Sequence, residues 1–449
     1  MKIKIFCLIL LTFCPAVLAQ KPPVTDATTP LHQLRPDYPV PYGIPKPEDV
    51  KGTIDRVFDY LDGATPTGFI DEKTDAAVVD LSKIDENTIL ARGDFRIVSY
   101  EWGVAYAGML LALEATGDRK FGDYVDKRLT FIGDSADKFK KNTGKYSEWE
   151  ARMPLRNLIV PRTLDDVGAM CAAMIKAKRA GSKADLEPLI ETAIAHIMKG
   201  QYRLSDGTLA RMRPQPDTLW LDDLFMSVPA LAQMGKMTGE ARYFDEAARQ
   251  VLSFEKRMFN RDKGVFMHGW VEGMTEHPEF HWARANGWAL MAVVELLEVL
   301  PENHPARPQI LDLLRRLAKG LASYQSGSGF WHQLLDRTDS YLETSATAIY
   351  TYCLARAVNR GWIDVRAYAP MILLAWNAVS TKVNAKGQVE GTCVGTGMAF
   401  DPAFYYHRPT SPFAAHGYGP VLLAGAEVIN LLKNKKFEIN DSSMQVIEK

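Results

Sequence analysis

From residue 47 onward the chain alternates between two kinds of helical segment. Segments 103–115, 167–179, 224–237, 288–300, 346–359 and 421–432 are apolar nearly all round and rich in Ala and Gly. Segments 47–61, 120–131, 186–199, 242–258, 307–324 and 365–379 are apolar on one face only, with Lys, Arg and Glu on the other. A helix that is hydrophobic all round is buried, and an amphipathic one lies between core and water. Alternating the two predicts an inner ring of helices wrapped by an outer ring. Thr116-Gly117-Asp118 and Thr238-Gly239-Glu240 end two of the apolar segments and begin the next, an internal echo. Twelve segments in six hairpins predict an all-α (α/α)6 barrel over 47–435. An open α-solenoid of the same hairpins is the alternative. Residues 64–98 have no helical period and read as a loop with short strands. Residues 20–46 read as an extended arm, and 436–449 as a polar tail.

The polar residues that interrupt this pattern fall in six clusters, about 60 residues apart, each just before an apolar segment. They are Tyr100-Glu101-Trp102-Gly103, Leu164-Asp165-Asp166, Trp220-Leu221-Asp222-Asp223, Trp282 to Trp288, Glu343-Thr344-Ser345 and His416-Gly417-Tyr418-Gly419-Pro420. A closed ring gathers all six at one end, whereas a solenoid scatters them. That favours closure and a binding site built from helix N-termini.

Composition narrows the setting. Lys2 and Lys4, the apolar run 5–13 and Val17-Leu18-Ala19 before Gln20 resemble a cleavable signal peptide, 1–19. The run is too short to span a bilayer. The expectation is export to a periplasm or the exterior, with no membrane span. Removing the peptide takes the net charge from −1 to −3. No basic stripe is present, so nucleic acid is not an expected partner. Cys171, Cys353 and Cys393 are odd in number and widely spaced, which suits neither a disulfide scaffold nor a zinc site.

The clusters carry more chemistry than capping needs. One Asp at a helix start satisfies free N–H groups. Asp165-Asp166 and Asp222-Asp223 supply two each, and separated carboxylates facing one cavity suit glycoside chemistry. Trp220 beside them offers a face for a sugar ring. Arg284 and Trp288 are four apart and share a helix face. With Trp282 they suit a planar anion such as a sugar carboxylate. His268, in His268-Gly269-Trp270, and His416 are further contact candidates. No Rossmann, P-loop, Gly-x-Ser-x-Gly or His-Glu-x-x-His pattern occurs.

Taken in order, Trp-Leu-Asp-Asp-Leu-Phe-Met (220–226), His-Gly-Trp (268–270), Trp-Ala-Arg-Ala-Asn-Gly-Trp (282–288), Glu-Thr-Ser (343–345) and His-Gly-Tyr-Gly-Pro (416–420) resemble glycoside hydrolase family 105, the unsaturated rhamnogalacturonyl hydrolases. They resemble more distantly the unsaturated glucuronyl hydrolases of family 88. The resemblance runs from about Trp102 to Glu427 and implies the (α/α)6 fold. It implies removal of a non-reducing-end 4,5-unsaturated uronic acid from lyase-generated oligosaccharides, without metal or organic cofactor. A carboxylic acid protonates C4 of the vinyl ether, charge builds at C5 and the ring oxygen, and water adds at C5. The resulting hemiketal opens and releases the sugar. The resemblance implies Asp222 as acid and base, with Asp166, in preference to Asp165, as the second carboxylate. It implies Trp102, His268, Trp282, Arg284 and Trp288 as substrate contacts; Asp165, Trp220 and His416 are contact candidates from their own clusters, His416 alternatively a simple helix entry. At one position the chain departs: where family members carry a His before the acidic motif, it has Arg211, which leaves the sugar next to the uronate open. Donating a proton near neutrality requires Asp222 to sit far above an ordinary carboxylate pKa of about 3.9. Arg284 is expected to avoid Asp222 and hold the substrate carboxylate instead.

Overall fold

A computed structural model describes residues 23–31, 34, 36, 38, 40–146, 153–441 and 443–447. The expected signal peptide lies outside them. The chain divides into a short unit ending at Pro39 and a large one from Val40 onward. In the short unit the described residues form a turn in which the Thr28 hydroxyl donates to the Pro23 carbonyl, 2.9 Å away.

The large unit contains α1 (Pro47–Ala64), α2 (Tyr100–Thr116), α3 (Arg119–Lys141), α4 (Arg156–Ile159), α5 (Leu164–Arg179), α6 (Glu187–Ala195), α7 (Val228–Thr238), α8 (Ala241–Met258), α9 (Ala283–Val299), α10 (Arg307–Ala322), α11 (Thr344–Asn359), α12 (Val365–Ser380), α13 (Pro402–Tyr406) and α14 (Tyr418–Asn434). Helices α2, α5, α7, α9, α11 and α14 each pack against the next, and α14 returns to α2. Outside them α3, α6, α8, α10 and α12 each back their inner neighbour, and α1 backs α14. The ring is therefore closed by the first and last helices, an (α/α)6 barrel. The short α4 and α13 lie outside the twelve.

The small residues of the inner helices let backbones approach closely. A Cβ on Gly103 would lie 2.4 Å from the Ala169 backbone, and one on Gly168 would lie 1.8 Å from the Met226 carbonyl oxygen. Ala for either Gly would force two inner helices apart. The echoed Thr-Gly turns also have a local cause. Gly117 (φ 73°) and Gly239 (φ 77°) take the left-handed conformation that ends α2 and α7, which costs a residue with a Cβ more.

Two features differ from expectation. Several outer-to-inner connections hold a short antiparallel pairing, at Arg203–Leu209, Phe259–Phe266 and Val383–Val389. These pairings are two residues or fewer per side, too brief for a period-two pattern to stand out. The stretch 436–449 is not a plain tail: Lys436–Ile439 pairs with Met444–Ile447 as a hairpin. Its Met444 side chain is buried, and Met444 N–H donates to the Tyr42 hydroxyl at 2.6 Å.

Candidate active site

The acidic motif owes its position to a strand pairing. Thr218–Trp220 runs antiparallel to Gly269–Val271, with Trp220 opposite Gly269. Leu221 N–H then donates to the His268 carbonyl at 3.0 Å, and the chain turns into a 3-10 turn, Leu221–Leu224. This sets Asp222 Oδ2 2.9 Å from His268 Nε2. Three residue pairs thus bridge the stretch that holds α7 and α8.

His268 is in turn held by Tyr405, whose hydroxyl lies 2.7 Å from Nδ1. Burial raises the Tyr405 pKa, so the hydroxyl keeps its proton. It accepts from Ala399 N–H at 3.1 Å, and its other acceptor, the Ala399 carbonyl, is 3.3 Å away. His268 thus lies between the Tyr405 hydroxyl and the Asp222 carboxylate, one ring nitrogen to each. The result is a chain of hydrogen bonds, Tyr405 to His268 to Asp222, that orients the carboxylate.

Asp222 retains 13 % of its side-chain exposure, so a ligand can reach it. Burial pushes its pKa up, but His268 beside it and Arg211 beyond outweigh that, and Asp222 sits below the ordinary value. This corrects the expectation that its protein surroundings alone would hold a proton on it. The raised carboxylate is its neighbour: burial, with Asp165 and Asp222 nearby and against the pull of Arg211, pushes Asp223 up to about 6.

Arg211 organises the other acids. Its Nη atoms donate to both oxygens of Asp165 at 3.0 and 2.9 Å, and Nε and Nη2 donate to Asp223 at 3.0 and 2.6 Å. The guanidinium lies over Trp220, 4.4 Å from the ring centroid, and the exposed Arg213 lies over the same ring at 4.5 Å. Asp165 is thereby drawn into the cluster. Asp166 is not, and the preference for it is corrected. Its Oδ2 accepts from Arg162 N–H at 2.8 Å and Thr163 N–H at 3.1 Å, completing a capping box at the start of α5.

Arg284 forms no ion pair with Asp222 among the described residues. Its Nη atoms donate to the Cys393 and Val394 carbonyls, each at 2.7 Å, and to Ser345 Oγ at 3.2 Å. It lies 4.6 Å from the Trp282 ring centroid and 3.8 Å from Glu343. Arg284 Nε–H and Trp282 Nε1–H are both buried and unpartnered. Trp282 also packs 4.7 Å from His268. Trp288 is a floor: it stacks on Phe225 and meets Tyr100 edge-on.

His416 joins through Tyr100, whose hydroxyl is 2.5 Å from His416 Nε2. Trp102, by contrast, is a core residue and the expectation of a substrate contact there is corrected. It is fully buried, stacks on Phe95 and donates Nε1–H to Tyr124 at 3.2 Å. Successive helical residues point about 100° apart, so Tyr100 faces the site while Trp102 faces α3. Tyr100, Glu101 and Asp223 lay in the expected clusters without an assigned contact; the organising role of Arg211 and the part of Tyr405 were not anticipated. For Tyr405 the sequence carried no signal, since it lies in the one-turn α13.

A helical barrel whose inner N-termini hold carboxylates, stacked indoles and buried donors is the architecture of a carbohydrate-active protein. The profile of Glycosyl Hydrolase Family 88 matches residues 69–432, and the chain belongs to that family. It is 29% identical over 215 residues to an unsaturated 3S-rhamnoglycuronyl hydrolase of Alteromonas sp. (strain LOR), covering 47% of this chain and 51% of that protein. The match therefore spans about half the length of that relative. It is 25% identical over 346 residues to the unsaturated rhamnogalacturonyl hydrolase YesR of Bacillus subtilis (strain 168), covering 75% of this chain and 91% of that one. A crystal structure of a possible member of family GH105 from Salmonella enterica superposes with TM-score 0.67 at 24% identity, over 92% of this chain and all of that one.

Proposed function

We propose that the protein hydrolyses oligosaccharides bearing a 4,5-unsaturated uronic acid at the non-reducing end. The observation that carries this is Asp222, a partly exposed carboxylate oriented through His268 by Tyr405. Family membership and the names of the two relatives support the substrate class.

In this reading the uronate ring lies against Trp220 with Asp222 at C4. The substrate carboxylate takes the unpartnered N–H donors of Arg284 and Trp282. A second anion entering a buried site raises the pKa of a carboxylate already there. Substrate therefore supplies the protonation that the protein surroundings of Asp222 oppose. Asp222 protonates C4, and charge develops at C5 and the ring oxygen. As a carboxylate again, it takes a proton from the water that adds at C5. The hemiketal then opens and releases the next sugar, and the elements of one water are added overall. Asp165 binds ring hydroxyls, with Arg211 fixing its position.

The sugar after the uronate is of the rhamnose type in this reading, as both relatives' names support. Arg213, exposed above Trp220, suits an anionic substituent on it. The proposal includes export of the mature chain to a periplasm or the exterior, on the strength of the first 19 residues.

The test follows the ultraviolet absorbance of the conjugated C4=C5 bond. Mature protein is incubated with lyase products of rhamnogalacturonan, sulfated rhamnose-containing glycuronan and glycosaminoglycan. Loss of absorbance with wild type and not with Asp222→Asn is expected. No loss across the panel, together with release of sugar from saturated oligosaccharides, would replace this reading with ordinary glycoside hydrolysis.

A further inference from the structure

Beside His416 lies a cleft of about 340 Å³ whose lining does not include the acidic cluster. Its lining includes Arg96 and Ser99 from the segment before α2, Glu101 from its first turn, and Gly395, Ser411 and His416 from the segment before α14. Tyr100 links the cleft's His416 to the acidic cluster. Its hydroxyl is bonded to His416, and its electrostatic neighbours include Asp165 and Asp222.

Two side chains in this cleft are more than nine-tenths buried and incompletely bonded. Glu101 Oε2 has no hydrogen-bond partner, nor has His416 Nδ1. What each lacks can be worked out. Tyr100 is buried beside Glu101 and Asp165, which raises its pKa, so its hydroxyl is protonated and donates to His416 Nε2. Burial, with Arg284 nearby, drives the His416 pKa well below the ordinary histidine value, so the ring is neutral and its one proton is on Nδ1. The cleft thus presents an N–H donor without an acceptor and a carboxylate oxygen without a donor. A buried polar group left unpaired costs about 1–3 kcal/mol. Sugar hydroxyls both accept and donate, so a saccharide can satisfy the two groups. Arg96, exposed at the rim, makes no ion pair among the described residues and offers a cation to an acidic ring substituent.

We propose that the Glu101–His416 cleft is a binding subsite for a further saccharide unit of the substrate, separate from the place of the uronate and bound through ring hydroxyls. This rests on the hydrolase reading above. The subsite makes longer oligosaccharides better substrates than a uronate carried on a small aglycone.

The experiment measures kcat/KM for three substrates sharing one unsaturated uronate: a methyl glycoside, a disaccharide and a tetrasaccharide. Wild type, Glu101→Gln and Arg96→Ala are compared. The quantity read is the ratio of kcat/KM for the tetrasaccharide over the methyl glycoside. A ratio well above one in wild type, falling about tenfold in Glu101→Gln, is expected, since one hydrogen bond to a charged group is lost. Arg96→Ala, at an exposed position that leaves folding unaffected, should lower the ratio less, and only for substrates with an acidic second or later sugar. A wild-type ratio near one, or a ratio unchanged in both variants, overturns the subsite while leaving the hydrolase reading intact. No turnover of any of the three by wild type overturns the hydrolase reading itself.

Discussion

The two ends of the barrel are built from the same helices and differ in how their charges are matched. At the N-terminal end of the inner ring lie Glu101, Asp165, Asp222, Asp223 and Glu343. At the C-terminal end, Lys176 meets Glu295 at 2.5 Å, and Arg356 meets Glu427 at 2.8 Å and Glu298 at 3.3 Å. Tyr352 adds a hydroxyl to Glu295 at 2.7 Å. Helix dipoles favour acids at the first end and bases at the second, and the residues follow that rule. The far end then adds a carboxylate for each base, in a network between helices that itself leaves Arg356 Nε and Asn359 Oδ1 without hydrogen-bond partners. The site end brings acids together around Arg211 and leaves Arg284 Nε, Trp282 Nε1, His416 Nδ1 and Glu101 Oε2 unpartnered. What differs between the ends is charge matching: each far-end base has its carboxylate, while at the site end the acids outnumber the bases.

Substitutions should break the two faces differently. The largest effect belongs to Asp222→Asn, expected to lower kcat about 10³-fold, within the range of general acid–base catalysis, with the melting temperature little changed. Kinetics and calorimetry on the same sample check this. Next is Glu295→Ala at the far end. Removing one partner of a buried pair leaves Lys176 uncompensated and should cost about 3–5 kcal/mol in urea unfolding, with kcat of the folded fraction unchanged. A fall in kcat instead would show that the two ends are coupled.

Arg211→Met removes the cation shared by Asp165 and Asp223. Carboxylate pKa values rise without it, so the alkaline limb of the kcat/KM profile should move to higher pH. An unmoved limb would mean that Arg211 serves the fold alone.

A smaller, pH-dependent effect comes from His416. Its folded-state pKa lies below the unfolded value of about 6.5. The unfolded state then binds more protons, so stability is complete above about pH 6.5 and is lost as pH falls below it. Unfolding of wild type and His416→Gln across pH 5–8 should show the shallower slope in the variant. Smallest is Trp102→Phe, which loses the bond to Tyr124, about 1 kcal/mol of stability, and should leave KM unchanged. A raised KM would return Trp102 to the site.

Much of the ring was legible beforehand because burial on all sides writes itself as an unbroken apolar run. The 3.6-residue period distinguishes inner from outer helices locally, and twelve such segments leave few ways to close. Segment ends were less legible. Helix α3 runs ten residues beyond the expected Phe131, to Lys141, because its last turns bury Ile132, Ser135, Ala136 and Phe139 among alternating charges. The clusters were placed at the correct end because each precedes an apolar helix, a one-dimensional fact.

What the sequence by itself determined, then, is which residues form helices, which helices are inside, and where the polar residues collect. Only the tertiary structure decided which member of a pair faces the cavity. Asp165 and Asp166 are adjacent, yet one meets Arg211 and the other caps α5. Tyr100 and Trp102 are two apart, yet one bonds His416 and the other stacks on Phe95. Side-chain direction on a helix turns about 100° per residue, so a shift of one position changes the partner completely. The link from Tyr405 to Asp222 depends on chain segments some 180 residues apart, and Asp222 takes its charge from what those distant segments place beside it. Local pattern carries no information about such a meeting, because a pKa is set by neighbours in space.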